Sequence, residues 1–300
     1  MAEPAVSIRN LSKRYSPRGE YALKHLTLNV NPGEVYGFLG PNGAGKSTTI
    51  RLLLNFIQPT SGTASILGRD IVKDSVELKR SIGYLSGDVA LYGKMTGAQL
   101  LAYMRDLTPV KHKSYLKELI ITYQAQLDKP IEQLSKGNRQ KIGLIQAFMH
   151  EPDVLILDEP TSGLDPLMQD AFFNYVKSAK AAGASVFLSS HDMAEVQKMC
   201  DRIGFIRGGK LIAEQTISDL IETASHTFDI SFGGPAPINS LQAVPSLRVE
   251  SKDKNSVVVH VQGDLSPLFT VLAHYKVIAL DRREVSLEQE FMQLYRKKRK

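Results

Sequence analysis

Residues Gly40–Thr48 read GPNGAGKST, a loop that functions only where a strand ends just before it and a helix begins within it. It matches G-x-x-x-x-G-K-[ST], the phosphate-binding P-loop. Its glycines let backbone N–H groups converge on phosphate oxygens, while Lys46 and Ser47 reach phosphate and Mg²⁺. Gly40, Pro41, Asn42, Gly43, Ala44, Gly45, Lys46, Ser47 and Thr48 therefore form the expected nucleotide-binding set. Both flanks are present. Glu34–Leu39 (EVYGFL), bounded by Asn31-Pro32-Gly33, reads as a buried strand. Lys46–Phe56 reads as a helix whose N-terminus aims free N–H groups and the positive end of its dipole at the phosphates. The implied ligand is a nucleoside triphosphate.

The surrounding pattern places the loop in an α/β chain. Val6–Asn10 and Tyr21–Val30 read as strands and predict an antiparallel edge. Gly62–Leu67 and Ile82–Leu85 are strand-like, and Thr96 with Gln99 has capping-box spacing ahead of an apolar helix. Residues 96–149 read as helix throughout. Val154–Asp158 (VLILD) is a fully apolar strand, followed by helix Pro166–Ala182, strand Ser185–Ser189, helix Asp192–Met199 and strand Ile203–Arg207. Strands alternating with helices predict a parallel sheet. After residue 222 the pattern becomes β-α-β-β-α-β, which predicts a small ferredoxin-like accessory domain over 223–300.

Composition limits the alternatives. A chain with 43% hydrophobic residues can bury a large core and a small second one, so global disorder is excluded. Of the net charge of +6, five units are the last five residues, Arg296–Lys300. The remainder is near neutral and offers no nucleic-acid patch. That tail reads either as a solvated terminus or as a segment attracted to an anionic leaflet at about 1 kcal/mol per basic residue. Cys200 is the single cysteine, which excludes an intramolecular disulfide. There is no secretory signal and no run of eighteen apolar residues. A soluble, cytoplasmic chain is expected, with any membrane function exercised through a partner.

The chemistry is concentrated after the apolar strand at Val154. Asp158 and Glu159 stand at its C-terminal end, where parallel sheets bind ligands. In P-loop NTPases an Asp in this setting shares Mg²⁺ with the loop Ser/Thr, which assigns the metal to Ser47 and Asp158. Glu159 then faces the γ-phosphate as general base or water-orienter.

Residues 3–220 resemble the nucleotide-binding subunit of ATP-binding cassette transporters, an α/β P-loop cassette with an all-helical subdomain. Tyr15 falls where that family stacks an aromatic residue on adenine. Leu134-Ser135-Lys136-Gly137-Asn138 falls at the LSGGQ signature, Ser162-Gly163-Leu164-Asp165 at the loop crossing the dimer interface, and His191 at the switch histidine. A Ser and a Gly at a helix N-terminus make an anion site; the resemblance implies that Ser135, Lys136, Gly137 and Asn138 serve ATP bound to the opposite subunit. Taken alone, a tyrosine or histidine in such places is more often ordinary packing. Two departures stand out. Gly87 replaces the family's glutamine, leaving Asp88 as the nearest group able to reach Mg²⁺ or water. Lys136 and Asn138 replace Gly and Gln, and Lys136 adds a cation able to pair with phosphate or Asp88.

The resemblance implies an ATPase using ATP and Mg²⁺ and closing as a head-to-tail homodimer, with Lys46, Glu159 and His191 catalytic. It further implies a transmembrane permease on a separate chain, with this subunit peripheral to the cytoplasmic face. GPNGAGKST, EPTSGLDP and the segment Val285–Phe291 resemble bacterial antibiotic, bacitracin-type or multidrug exporters. An importer subunit, or a soluble cassette ATPase of ribosome or repair complexes, is the alternative.

Overall fold

The chain divides after Gln215 into two units. The structure is a computed structural model and describes residues 3–108, 110–223, 226–261 and 263–283; the exporter-like stretch Val285–Phe291 and the basic tail lie outside the described residues. In the first unit β1 (Val6–Arg14) and β2 (Tyr21–Val30) precede β3 (Val35–Leu39), which runs into the phosphate loop and α1 (Lys46–Leu53). Next come β4 (Ser61–Ile66), β5 (Arg69–Asp70), α2 (Ser75–Ser81) and β6 (Ile82–Leu85). Three helices follow: α3 (Gly97–Leu107), α4 (Lys113–Tyr123) and α5 (Lys136–Phe148). The unit ends with β7 (Val154–Asp158), α6 (Pro166–Ala181), β8 (Ser185–Ser190), α7 (Met193–Met199), β9 (Arg202–Arg207) and β10 (Lys210–Thr216).

Six strands form the central sheet in the order β10-β9-β3-β8-β7-β6. Those from β9 to β6 are parallel. Every residue of β3, β7 and β8 is buried, as strands covered on both faces require. The antiparallel strands make a sheet of their own, β2-β1-β4-β5, with Val6 opposite Val30 on one side and Ile66 on the other. Ile8, Leu26, Ile50, Phe38 and Phe187 belong to one core cluster that draws on both sheets and α1. A smaller cluster of Leu100, Ile131, Leu134 and Ile142 holds the helical part.

Local chemistry sets the helix ends. Thr96 and Gln99 form the anticipated capping box, with Thr96 Oγ1 accepting from Gln99 N (3.2 Å) and Gln99 Oε1 accepting from Thr96 N (2.9 Å). α1 stops at Leu53, short of Phe56, because Asn55 adopts φ +54 and Phe56 N returns to Arg51 O at 2.8 Å, a left-handed C-terminal closure. α2 and β10 carry too little apolar periodicity to be read in advance. α2 buries only Leu78, and no residue of β10 is buried.

In the second unit α8 (Ile217–Thr223) precedes β11 (His226–Phe232), α9 (Ile238–Gln242), β12 (Leu247–Ser251), β13 (Ser256–Val261), α10 (Ser266–Leu272) and β14 (Val277–Arg283). The order β12-β13-β11-β14 with antiparallel pairing throughout is the split β-α-β arrangement of a ferredoxin-like sheet. Phe228, Ile230 and Phe232 alternate on one face and share a core with Leu241 of α9 and Leu268 and Leu272 of α10.

A polar cluster fastens the entry of β3. Glu34, 8% exposed, accepts from Arg202 Nε (2.8 Å) and Nη2 (3.0 Å). Arg202 also approaches Glu214 (3.3 Å), which accepts from the Tyr36 hydroxyl (2.8 Å). Burial, reinforced by Glu214, pushes the Tyr36 phenol well up, so it remains a donor. Replacing Arg202 by Met removes the cation from the Glu34 carboxylate and leaves it the Asn31 N–H (2.6 Å). The expected loss is about 3 kcal/mol, read as a lower urea midpoint at unchanged slope.

Candidate nucleotide site

β3 delivers the loop and α1 receives it. Gly45, the residue before α1, has φ +113, and a Cβ there would lie 2.8 Å from Ala22 O. Only glycine enters the helix this way without strain. Lys46 follows, 5% exposed, with its side chain folded over its own loop: Nζ donates to Gly40 O (2.6 Å) and Pro41 O (3.4 Å). Its remaining approach is to Glu159 Oε1 at 3.5 Å. A pocket of about 150 Å³ is lined by Ala22, Pro41–Thr48 and Glu159. Tyr15, 59% exposed, stands beside it with its hydroxyl 3.2 Å from Thr48 Oγ1.

β7 supplies the acids. Asp158 is 8% exposed and accepts the Ser189 hydroxyl, while Ser189 Oγ accepts Glu159 N at 3.2 Å. Glu159 itself adopts φ +47, a left-handed conformation that costs a non-glycine residue on the order of 1 kcal/mol or more. Its Oε1 lies 3.3 Å from His191 Nδ1 as well as 3.5 Å from Lys46 Nζ. One carboxylate oxygen thus stands within reach of a buried ammonium and an imidazole supplied by two other loops. Neighbouring Tyr84 is pushed up by burial, with Asp158 adding to the effect.

The signature residues lie elsewhere. Ser135 caps α5 by accepting from Asn138 N (3.2 Å), and Asn138 Oδ1 accepts from Gln126 N (3.2 Å). Lys136 Nζ donates to Ser162 Oγ (3.3 Å), and among the described residues no ion pair joins it to Asp88, which is exposed. A Cβ on Gly137 would lie 3.1 Å from Gly163 O. Asp165 caps α6 through Met168 N (3.0 Å). The start of α5 therefore packs on the 162–165 loop of its own chain, and none of residues 135–138 lines the phosphate-loop pocket. Gly87 is beside Asp158: a Cβ there would stand 3.2 Å from Asp158 O and 3.6 Å from its Cγ.

Two positioning groups escaped the sequence reading. Ser189 orients both acids; its signal was the pair of serines that follows the apolar Val186–Leu188 in SVFLSS. Gln140, 1% exposed, donates to Pro160 O (2.9 Å) and ties α5 to the residue after Glu159. A buried glutamine in an apolar helix face was the clue.

The donor set fits the expected ligand. The phosphate loop presents amides, an ammonium and hydroxyls to an anion. Among the described residues no group of three acidic, histidine or cysteine side chains forms a metal site. The hard oxygens of Asp158 and Ser47 suit Mg²⁺ held jointly with substrate phosphates.

A family model described as ABC transporter matches residues 23–162. The chain is 36% identical over 212 residues to the bacitracin transport ATP-binding protein BcrA of Bacillus licheniformis, covering 70% of this chain and 69% of that one. It is also 36% identical over 224 residues to the probable multidrug ABC transporter ATP-binding protein YbhF of Escherichia coli, covering 73% of this chain. The match spans only 38% of that relative's length. A solved ATP-binding subunit of an ABC transporter superposes with a TM-score of 0.67 at 29% identity, covering 72% of this chain and 91% of the other. With its phosphate loop, strand-end acids and His191 assembled on this fold, the chain belongs to the ABC transporter family.

Proposed function

We propose that this chain hydrolyses ATP in a head-to-tail pair of copies, and that the pair powers export of a substrate through a separate transmembrane subunit at the cytoplasmic face. The observation that carries the reading is the Glu159 carboxylate between Lys46 Nζ and His191 Nδ1 at 3.5 and 3.3 Å. Two of the Lys46 donors are taken by Gly40 and Pro41 carbonyls, and the third faces Glu159. A γ-phosphate oxygen competes for that third donor and frees the carboxylate to orient a water or take its proton. Lys46 and the loop amides stabilise charge on the transferring phosphoryl group, while His191 contacts the γ-phosphate from the opposite loop. Mg²⁺, held by Ser47 and Asp158, would neutralise phosphate charge; Asp88, exposed and next to Gly87, which stands against Asp158, is a further candidate for that shell.

The pairing is supported by what the pocket lacks. Ser135, Lys136, Gly137 and Asn138 are absent from their own chain's phosphate pocket, so an anion-binding role for them calls for a second copy, with Asp165 on the crossing loop. A membrane partner is supported by a groove lined by Leu54, Phe56, Ile82, Tyr84, Met104 and Leu107, where Phe56 and Leu107 are 53% and 57% exposed. Apolar surface of this kind marks protein contacts. No described helix is long and apolar enough to cross a membrane. Export is supported by the bacitracin and multidrug names of the relatives; Tyr15 is assigned to the adenine.

Glu159→Gln should keep ATP binding, elute as a dimer with Mg-ATP, and lose turnover by on the order of 10²-fold or more; full steady-state ATPase in this variant counts against the assignment. Gly45→Ala imposes left-handed strain of about 1–3 kcal/mol at the loop. Affinity for a fluorescent ATP analogue is expected to fall at least about tenfold, with the circular dichroism spectrum unchanged.

A further inference from the structure

Glu195 is the third residue of α7, counted from the capping residue Asp192. A glutamate there ordinarily turns back onto the N–H of the capping residue. In this chain that N–H is taken instead by Ser190 Oγ at 2.9 Å, and the Asp192 side chain caps Ala194 N at 2.8 Å. The Glu195 carboxylate reaches sideways. Its Oε2 accepts from the Ser190 hydroxyl at 2.9 Å, and its Oε1 accepts from the Thr161 hydroxyl, 34 residues away in sequence. Thr161 and Ser190 are 4% and 2% exposed, so without the carboxylate each hydroxyl loses its main partner away from water, a loss far larger than that of a surface contact.

The two hydroxyls belong to the two loops that carry the reacting groups. Thr161 is two residues after Glu159, Ser190 immediately precedes His191, and Glu159 Oε1 meets His191 Nδ1 at 3.3 Å. Peptide bonds, the two hydrogen bonds of Glu195 and the Glu159–His191 contact therefore close a ring through Glu159, Thr161, Glu195, Ser190 and His191. We propose that Glu195 is a positioning residue that clamps the loop after β7 to the loop after β8, so that Glu159 and His191 keep their mutual geometry and shift together. Glu195 does not line the phosphate pocket and acts only through its two partners. The proposal rests on the reading of Glu159 and His191 as reacting-site groups.

The test is steady-state ATPase of the full chain with separate kcat and KM for ATP, beside binding of a fluorescent ATP analogue. Glu195→Ala should lower kcat by about 10- to 100-fold, the cost of misplacing a reacting group by about an ångström, with KM within about twofold. Glu195→Gln keeps a polar contact to each hydroxyl and should recover most of that loss. Thr161→Val and Ser190→Ala should each lower kcat in part and add little on top of Glu195→Ala, as members of one network do. A Glu195→Ala kcat within about twofold of wild type, a loss confined to KM, or a Glu195→Gln variant no better than Ala overturns the clamp. If Glu195→Ala does not fold, Thr161→Val and Ser190→Ala decide: wild-type kcat in both overturns it. Glu159→Gln serves as the control. When it abolishes turnover, an inert Glu195 removes the clamp alone; when it retains full turnover, the site reading fails and the clamp with it.

Discussion

In the central sheet Leu39 pairs with Ser190 and Phe38 with Ser189, while Asp158 pairs with Ser189 on the other side of the same strand. This parallel register brings β3, β8 and β7 to an end at one level. The three loops that leave the sheet there carry Lys46, His191 and Glu159. A slip of one residue in either pairing would turn the terminal side chains to the opposite face. Continuous burial of all three strands opposes such a slip, because inward and outward faces are both packed. The contacts of Glu159 with an ammonium and an imidazole are thus a consequence of strand register before they are a matter of side-chain chemistry.

Close packing carries that register outward. A Cβ on Gly37, in the middle of β3, would lie 2.8 Å from Val196 Cγ1 and 2.9 Å from Cys200 Sγ. Its absence lets α7 lie directly on the strand that feeds the phosphate loop, and α7 carries Glu195. Cys200 is part of this packing; burial pushes its thiol well up, which keeps it protonated and unreactive. Glu159 is held in its left-handed turn by Ser189, whose backbone carbonyl (3.1 Å) and hydroxyl (3.2 Å) both receive the Glu159 N–H. A strained residue persists where its surroundings over-determine it, and here the surroundings are the end of the neighbouring strand.

The two departures from the family pattern acquire different meanings. Gly87 stands against Asp158, so the missing side chain is missing next to the acid assigned to Mg²⁺. Lys136 is committed to Ser162 of its own chain at 3.3 Å, and Gln140 of the same helix holds the Pro160 carbonyl. Within one chain α5 is therefore fastened to the segment following Glu159 by two side chains, one at its start and one a turn later.

The phosphate loop, the apolar strand before it, the Asp158-Glu159 pair and the capping residues Thr96 and Ser135 were legible in the amino-acid sequence because each is a local pattern, complete within a few residues. The β-α-β-β-α-β order of the second unit was legible for the same reason: Phe228, Ile230 and Phe232 alternate with polar residues, and Val257–Val261 is a valine-rich run. α2 and β10 were not, since one bears a single buried residue and the other none. Nor was it apparent that the antiparallel strands form a separate sheet. Which strands become neighbours depends on long-range pairing that no local pattern specifies. Only the tertiary structure decided that Glu159 meets Lys46 and His191, that Ser189 holds both acids, that Lys136 turns to Ser162, and that Glu195 bridges Thr161 and Ser190. Apart from the Glu195–Ser190 bond, which spans five positions, these contacts join residues 26 to more than 100 positions apart in the chain, and a hydrogen bond a few ångströms long exists only once the register of the sheet has brought its two ends together.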